Sequence, residues 1–274
     1  MRIPPKFWAR ESAAMSIDGE ERLVTLWGWS HTSLVEATAV ARDRLNRLRH
    51  SGQLRADEYY PRVPLREEVL HEVRSPSGEL LGVVTRNRYG ADVLNTDAVV
   101  FVDIDAHDHD PSLWDRLRKR PAVTPLADAA RASIQDFASR HPDWGVSAYR
   151  TAAGFRVLVT GTGAGPNDHM SAAIMDELSA DRIYAGLCAA HDSFRARLTP
   201  KPWRVGWHSL NMTYPDSQDS PKLQPWLTGY RQRSQGYATC QLLMRQGPPA
   251  SADEQLVIDL HDQVTLANSG LSLA

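Results

Sequence analysis

The chain has 274 residues, of which 42% are hydrophobic and 23% charged, with a net charge of −2. That is ordinary globular composition with ample core, enough for one large domain or two small ones. Two cysteines, Cys188 and Cys240, exclude a disulfide framework and a zinc-ligand spacing, no apolar run is long enough to span a bilayer, and the near-neutral charge argues against a whole-molecule basic footprint for nucleic acid. The opening MRIPPKFWARES lacks the apolar centre of a signal peptide, so the expectation is a cytoplasmic protein with reduced thiols and no membrane partner.

Residues 1–20 read as a weakly ordered or docked arm anchored by Phe7 and Trp8. Arg22 to Trp29 (RLVTLWGW) is a strand pattern. Ser30 or Thr32 then caps a helix to about Arg49, with Leu34, Ala37, Val40, Ala41, Leu45 and Leu48 at helical spacing. Val69–Val73 and Leu80–Arg86 form a hairpin around Ser75, Pro76, Ser77 and Gly78.

The stretch Asp97 to Asp110, DAVVFVDIDAHDHD, comes next. Ala98 to Phe101 and Val102 make a short apolar run of strand formers, which predicts a strand buried on both faces. It ends in Asp103, Ile104, Asp105. Side chains alternate along a strand, so both carboxylates leave one face. Two carboxylates so close repel unless a proton or cation intervenes, and a hard divalent cation, Mg²⁺ or Mn²⁺, accepts such oxygens readily. The plainer reading is a solvated strand end entering a turn. His107, Asp108, His109 and Asp110 could add ligands, but such a cluster reads first as a polar loop. Arg116, Arg118, Lys119 and Arg120 read as a solvated helix face.

A helix is expected from about Pro125 to Ser139, stopped by His141 and Pro142. Gly145 to Thr160, GVSAYRTAAGFRVLVT, is two short strands about a tight turn at Ala152, Ala153 and Gly154. Arg150, Thr151 and Arg156 surround that turn and suit a phosphate clamp, since guanidinium forks match phosphate oxygens. A plain hairpin with solvated arginines is the competing reading. Two helices follow, about His169–Leu178 and Asp181–Ala190, with Ser179 as a candidate cap for the second.

Ala190 to Trp207, AHDSFRARLTPKPWRVGW, gathers Arg195, Arg197, Lys201 and Arg204 with Phe194, Trp203 and Trp207, and no acid intervenes from Ser193 to Pro215. Phosphates meet arginine and bases stack on rings, so the mixture suits a polyanion carrying bases. An Arg/Trp edge packed by stem burial and cation–π contact is the alternative. Asp192, just ahead, can supply a third carboxylate. Residues 211–235 read as a loop-rich excursion, Tyr237–Met244 as a short strand or helix, and Ser251–Leu266 as a helix with a Ser251/Glu254 capping box. The last residues, 267–274, are expected to fray.

With these stretches in order, the chain resembles the catalytic core of the archaeo-eukaryotic primase superfamily, which includes the primase–polymerases, over roughly Val84 to Trp207. In that family two acids one residue apart bind divalent metal, and Asp103 and Asp105 match them. A hydroxyl residue and a histidine on a hairpin hold nucleotide phosphates; Thr151 matches the hydroxyl, and Arg156 stands where the histidine belongs. A third acid after an apolar residue completes the metal site; Asp192 matches it loosely, with His191 ahead of it. The resemblance implies an α+β fold, a mixed and largely antiparallel sheet with flanking helices around an RRM-like primase core. It divides the chain into an N-terminal portion (1–82), the catalytic core (83–210) and a C-terminal extension (211–274).

The implied function is metal-dependent nucleotidyl transfer. Asp103, Asp105 and Asp192 would be catalytic and hold Mg²⁺ or Mn²⁺, Arg150, Thr151 and Arg156 would grip a nucleoside triphosphate, and Arg195, Arg197, Lys201 and Arg204 would contact triphosphate or template. The alternatives are a non-catalytic relative that binds a nucleotide or single-stranded DNA or RNA, and a haloacid-dehalogenase-like phosphatase. The latter also uses Asp-x-Asp at a strand end, but near the N-terminus of a doubly wound parallel sheet.

Overall fold

The computed structural model describes residues 1–17, 20–51, 64–105 and 126–274. The His107–Asp110 cluster and the basic stretch Arg116–Arg120 lie outside the described residues. Within them the chain is α+β, with antiparallel four-stranded sheets and flanking helices.

The N-terminus forms a long hairpin and not an arm. Strands β1 (Phe7–Ile17) and β2 (Glu20–Ser30) pair from Phe7↔Ser30 to Ile17↔Glu20. Trp8 does anchor it: the ring is buried and its Nε1–H donates to the Pro5 carbonyl at 2.9 Å. Helix α1 (Leu34–Ser51) starts where the Ser33 hydroxyl accepts from the Glu36 amide. It buries Ala37, Ala41 and Leu45 on one face. A β-carbon on Gly28 would lie 2.1 Å from the Ala37 carbonyl oxygen, so only glycine lets α1 press this closely onto β2.

Two sheets carry the rest. One is ordered β3 (Glu68–Arg74), β4 (Leu80–Arg86), β5 (Asp92–Thr96), β9 (Phe194–Arg197); the other is β11 (Cys240–Gln246), β7 (Gly145–Thr151), β8 (Gly154–Thr160), β6 (Val100–Asp105). Every neighbouring pair in both is antiparallel. Strand β5 has no counterpart in the sequence reading; DVLNT is short and half polar, and it is a strand because β4 and β9 bracket it. The boundary expected at 82/83 falls inside β4, and β11, from the expected C-terminal extension, completes the sheet of β6.

Strand β6 fits the expectation of burial on both faces: Val99 to Val102 are at most 1% exposed. Among the described residues it is the edge of its sheet, and two of its carbonyls are met by the start of helix α4 (Arg182–His191). The Tyr184 hydroxyl donates to the Phe101 carbonyl at 2.8 Å, and the Asp181 amide to the Asp103 carbonyl at 3.0 Å. Asp181, not Ser179, caps α4, accepting from the Ile183 amide.

Helices α2 (Leu126–Arg140) and α6 (Ala252–Thr265) cover opposite faces of the β6 sheet. Ile134 and Gln135 of α2 line a cavity with Ala148 and Phe155, while His261 of α6 packs against Phe101 and Tyr149. Helix α3 (His169–Glu177) adds Ile174 and Met175 to the same core. The capping box at Ser251 forms as expected. Two expectations fail late in the chain. Helix α5 (Leu223–Ser234) replaces part of the expected loop, because Leu223, Trp226, Leu227 and Tyr230 bury one stripe in a small second core. The tail does not fray: β12 (Ser272–Leu273) pairs in parallel with β10 (Tyr237–Ala238).

Candidate functional site

Strand register decides which expected residues meet. Asp103 lies directly opposite Arg156, and Arg156 directly opposite Tyr149. Direct cross-strand partners share a face, so Asp103, Asp105, Arg156 and Thr151 all lie on the α6 side. Arg150 is on the other side. Its guanidinium sits 5.0 Å from the centre of the Phe155 ring, so it packs there and does not join the clamp. Asp105 faces Gly154 across the strands, which carries no side chain, and Thr151 stands beyond it. The Thr151 hydroxyl accepts from the Ala153 amide and shapes the turn.

Arg156 is 1% exposed and grips Asp103 with both arms of its fork, Nε to Oδ1 at 2.7 Å and Nη2 to Oδ2 at 3.1 Å. Nη1 donates to the Arg197 carbonyl at 2.8 Å and faces His261 Nε2 at 3.4 Å. Burial alone disfavours the guanidinium charge, but the Asp103 carboxylate outweighs it and raises the pKa. His261 is fully buried; burial, then the Arg156 charge, hold its pKa below the usual value although Asp262 works the other way. Its Nδ1 lies 2.9 Å from Asp262 Oδ1. A neutral ring that donates from Nδ1 and accepts at Nε2 satisfies both neighbours. Cys240 completes a Cys–His–Asp row, with Sγ 3.9 Å from His261 Nε2. The thiol is 0% exposed and burial pushes its pKa up to about 11, so it is a packing residue and not a nucleophile.

Strand β9 brings the basic segment to this end. Phe194 and Ala196 are buried, and Arg195 and Arg197 share the opposite face as the spacing predicts. Arg195 is already satisfied. It donates to Glu67 Oε1 at 2.9 Å and Oε2 at 3.1 Å and also to Asn95 Oδ1. The role expected for it, contact with triphosphate or template, is therefore corrected to a structural one. Arg197 differs. Its side chain is largely buried, and its Nε has no hydrogen-bond partner among the described residues. Burial lowers its pKa and the charges of Arg156 and Arg204 add to that, against the pull of Asp103.

The chain then turns through a short 3₁₀ segment, Pro202–Val205, with Pro202 leading it and Gly206 closing it at φ 68°. Residues three apart eclipse in such a turn, so Lys201 and Arg204 fall on one side. Burial, then Arg197 and Arg204, lower the Lys201 pKa, while Asp105 and Asp103 pull it back; burial also lowers that of Arg204, which Asp105 opposes. The segment is tethered by the Asp92 amide donating to the Thr199 hydroxyl at 2.9 Å and the Tyr230 hydroxyl donating to the Pro200 carbonyl at 2.6 Å.

Asp192 does not join. It caps α4 in the left-handed conformation, its Oδ1 accepts from Asn167 Nδ2 at 2.6 Å, and its carbonyl accepts from the Arg2 amide. It lies beyond Phe194, which pairs with Thr96, whereas the Arg197 carbonyl meets Arg156 at the far end of β9. No group of three His, Cys, Asp or Glu side chains able to hold a metal comes together among the described residues. Among the described residues the donor set for Mg²⁺ or Mn²⁺ is thus at most Asp103 and Asp105, and both Asp103 oxygens already accept from Arg156. The three-acid metal centre expected from the sequence does not fit this arrangement.

Three sizeable cavities among the described residues lie elsewhere. One of about 250 Å³ is lined by Arg86, Asp92 and Tyr230, one of about 290 Å³ by Ser147, Thr160 and Arg245, and one of about 570 Å³ by Trp207, Met212 and Trp226. None includes Asp103, Asp105 or Arg197; Asp105 at the end of β6 is exposed, and Arg197, Lys201 and Arg204 are partly buried beside it. The signal that the sequence does not reveal is Glu67, whose carboxylate accepts twice from Arg195. No helix among the described residues is long and apolar enough to cross a membrane. Comparison with family models, with curated proteins and with solved structures finds no match, so no family is shown for this chain and its function has to be read from the site itself.

Proposed function

We propose that this chain is a primase-like module that binds the triphosphate of a nucleotide on the shelf formed by Arg197, Lys201 and Arg204, beside Asp105 and the Thr151 turn. The observation that carries the reading is Arg197: a largely buried cation whose Nε has no hydrogen-bond partner among the described residues. Two further cations crowd it, and a carboxylate nearby is already taken by Arg156. Removing a charge from water costs several kcal/mol on the order of magnitude seen for buried ions unless an opposite charge meets it, and a phosphate oxygen is the acceptor that a guanidinium fork fits best.

Arg156 takes a positioning role in this reading. Held by Asp103 and close to His261, it donates to the main-chain carbonyl of Arg197 and so fixes the backbone that carries the Arg197 side chain. Metal-dependent nucleotidyl transfer is a second reading, supported by Asp103 and Asp105 sharing one face at a strand end. It requires Asp103 to leave Arg156. The haloacid-dehalogenase alternative has lost its fold support, since both main sheets are antiparallel.

Titration calorimetry of a nucleoside triphosphate into the protein, with and without chelator, tests the proposal. Binding is expected to survive chelator and to weaken about tenfold in Arg197→Met, or about 1.4 kcal/mol. Undiminished binding in that variant would remove the proposal. Mn²⁺-dependent incorporation on primed template, abolished in Asp105→Asn, would establish the second reading instead.

A further inference from the structure

The exposed ring of Trp203 stands at the edge of the shelf, and nothing in triphosphate binding uses it. Its neighbours are unusual for an incidental surface tryptophan. Trp203 is 50% exposed, and Tyr89 meets it edge-on, with ring centres 5.6 Å apart and planes at 84°. The Lys201 ammonium lies 5.5 Å from the Trp203 ring centre, and the Arg88 guanidinium 4.7 Å from that of Tyr89. Both rings are held in place beforehand. The Tyr89 turn is fixed by the Asn87 side chain, whose Oδ1 accepts from the Tyr89 amide at 3.0 Å and the Ala91 amide at 3.1 Å. The Tyr89 carbonyl accepts from the Leu210 amide, and Trp203 sits inside the 3₁₀ turn.

We infer that Trp203, buttressed by Tyr89, is a stacking platform for an unpaired base of a single-stranded nucleic acid whose backbone runs from the Arg197 shelf past Lys201 to Arg88. The inference rests on the phosphate-binding reading and specifies its partner. A strand alternates charge and flat apolar surface, and this edge alternates cations with rings in the same way. A free triphosphate engages the cations alone and leaves the ring in water. A duplex keeps its bases stacked internally and has none to offer. Charge complementarity selects a polyanion: among the described residues Arg88 donates to the Tyr89 hydroxyl and not to a carboxylate, and Asp105 and Asp103 act on Lys201 without a hydrogen bond to it.

Fluorescence anisotropy of a labelled oligothymidylate, together with calorimetry of inorganic tripolyphosphate, separates this inference from the reading beneath it. Trp203→Ala is expected to weaken oligothymidylate binding about tenfold, within the range for loss of one base–aromatic stack. It should leave tripolyphosphate binding unchanged, and Trp203→Phe should retain most of the oligothymidylate affinity. Quenching of tryptophan emission by oligothymidylate should disappear in the alanine variant. Equal oligothymidylate affinity in wild type and Trp203→Ala would overturn the platform while tripolyphosphate binding kept the shelf intact. Failure of wild type to bind tripolyphosphate would instead remove the shelf. Duplex DNA binding as tightly as the single strand would also overturn the inference.

Discussion

Arg195 and Arg197 are two residues apart on one strand face, yet their surroundings are opposite. Arg195 lies in a closed network. Glu67 accepts from it twice, the Thr85 hydroxyl donates to Glu67 Oε2 at 2.6 Å, and Asn95 Nδ2 donates to Thr85 Oγ1 at 3.0 Å. Arg197 has an Nε with no partner among the described residues, and Arg204 and Arg156, of its own sign, stand near it with Asp103. Adjacent positions with the same chemistry thus split into an arginine paired with its own acid and one whose nearby carboxylate, Asp103, is held by Arg156. The difference teaches that a basic run does not by itself say which arginines are paired; the acids that the fold brings alongside decide it.

The Asp103–Arg156 pair extends the closed side of that comparison, and it should show the largest effect. Asp103→Ala leaves Arg156 charged and buried, and should cost about 3–5 kcal/mol in urea unfolding. Adding Arg156→Met to that variant should recover much of the loss, since an apolar side chain of similar length needs no counter-charge. A loss that the second substitution does not reduce would mean the pair is not the source.

Next comes a test of opposite signs. Glu67→Ala strands Arg195 and should destabilise by about 3 kcal/mol. Arg197→Met removes a cation already lacking a partner and should hold or raise the urea midpoint. If Arg197→Met destabilised as much as Glu67→Ala, both arginines would be structural and the contrast would collapse.

The smallest effect is a pH slope. His261 is held neutral with its pKa below the ordinary 6.5, so the unfolded chain takes up its proton first as pH falls. The stability tied to neutral His261 is therefore fully present above about pH 6.5 and is lost progressively below it. His191, lowered by burial and by Arg195, adds a slope of the same sign. Thermal midpoints between pH 7.5 and 5 should fall with acid, and less steeply in His261→Gln. An unchanged slope in that variant would remove His261 from the account.

Much of the local structure was legible. Helix α1 announces itself through Ala37, Ala41 and Leu45, and β6 through an unbroken run of strand formers. The β7–β8 hairpin and the Ser251 capping box are written in their turn and cap residues. Short-range signals fail where a partner from elsewhere makes the element. Strand β5 exists because β4 and β9 flank it, β12 because β10 offers an edge, and α5 because a small core receives Trp226 and Tyr230.

For the site, the sequence by itself determined that Asp103 and Asp105 leave one face of a buried strand, that Arg195 and Arg197 do the same on another, and that cations and rings gather after Asp192. Those facts follow from two-residue alternation, which is local. Only the tertiary structure decided that Arg156 takes Asp103, that Glu67 takes Arg195, that Arg150 turns away and that Asp192 stays at the other end of its strand. Charge pairing depends on which strands lie side by side and in what register, and residues dozens of positions apart set that register by the burial of their apolar faces.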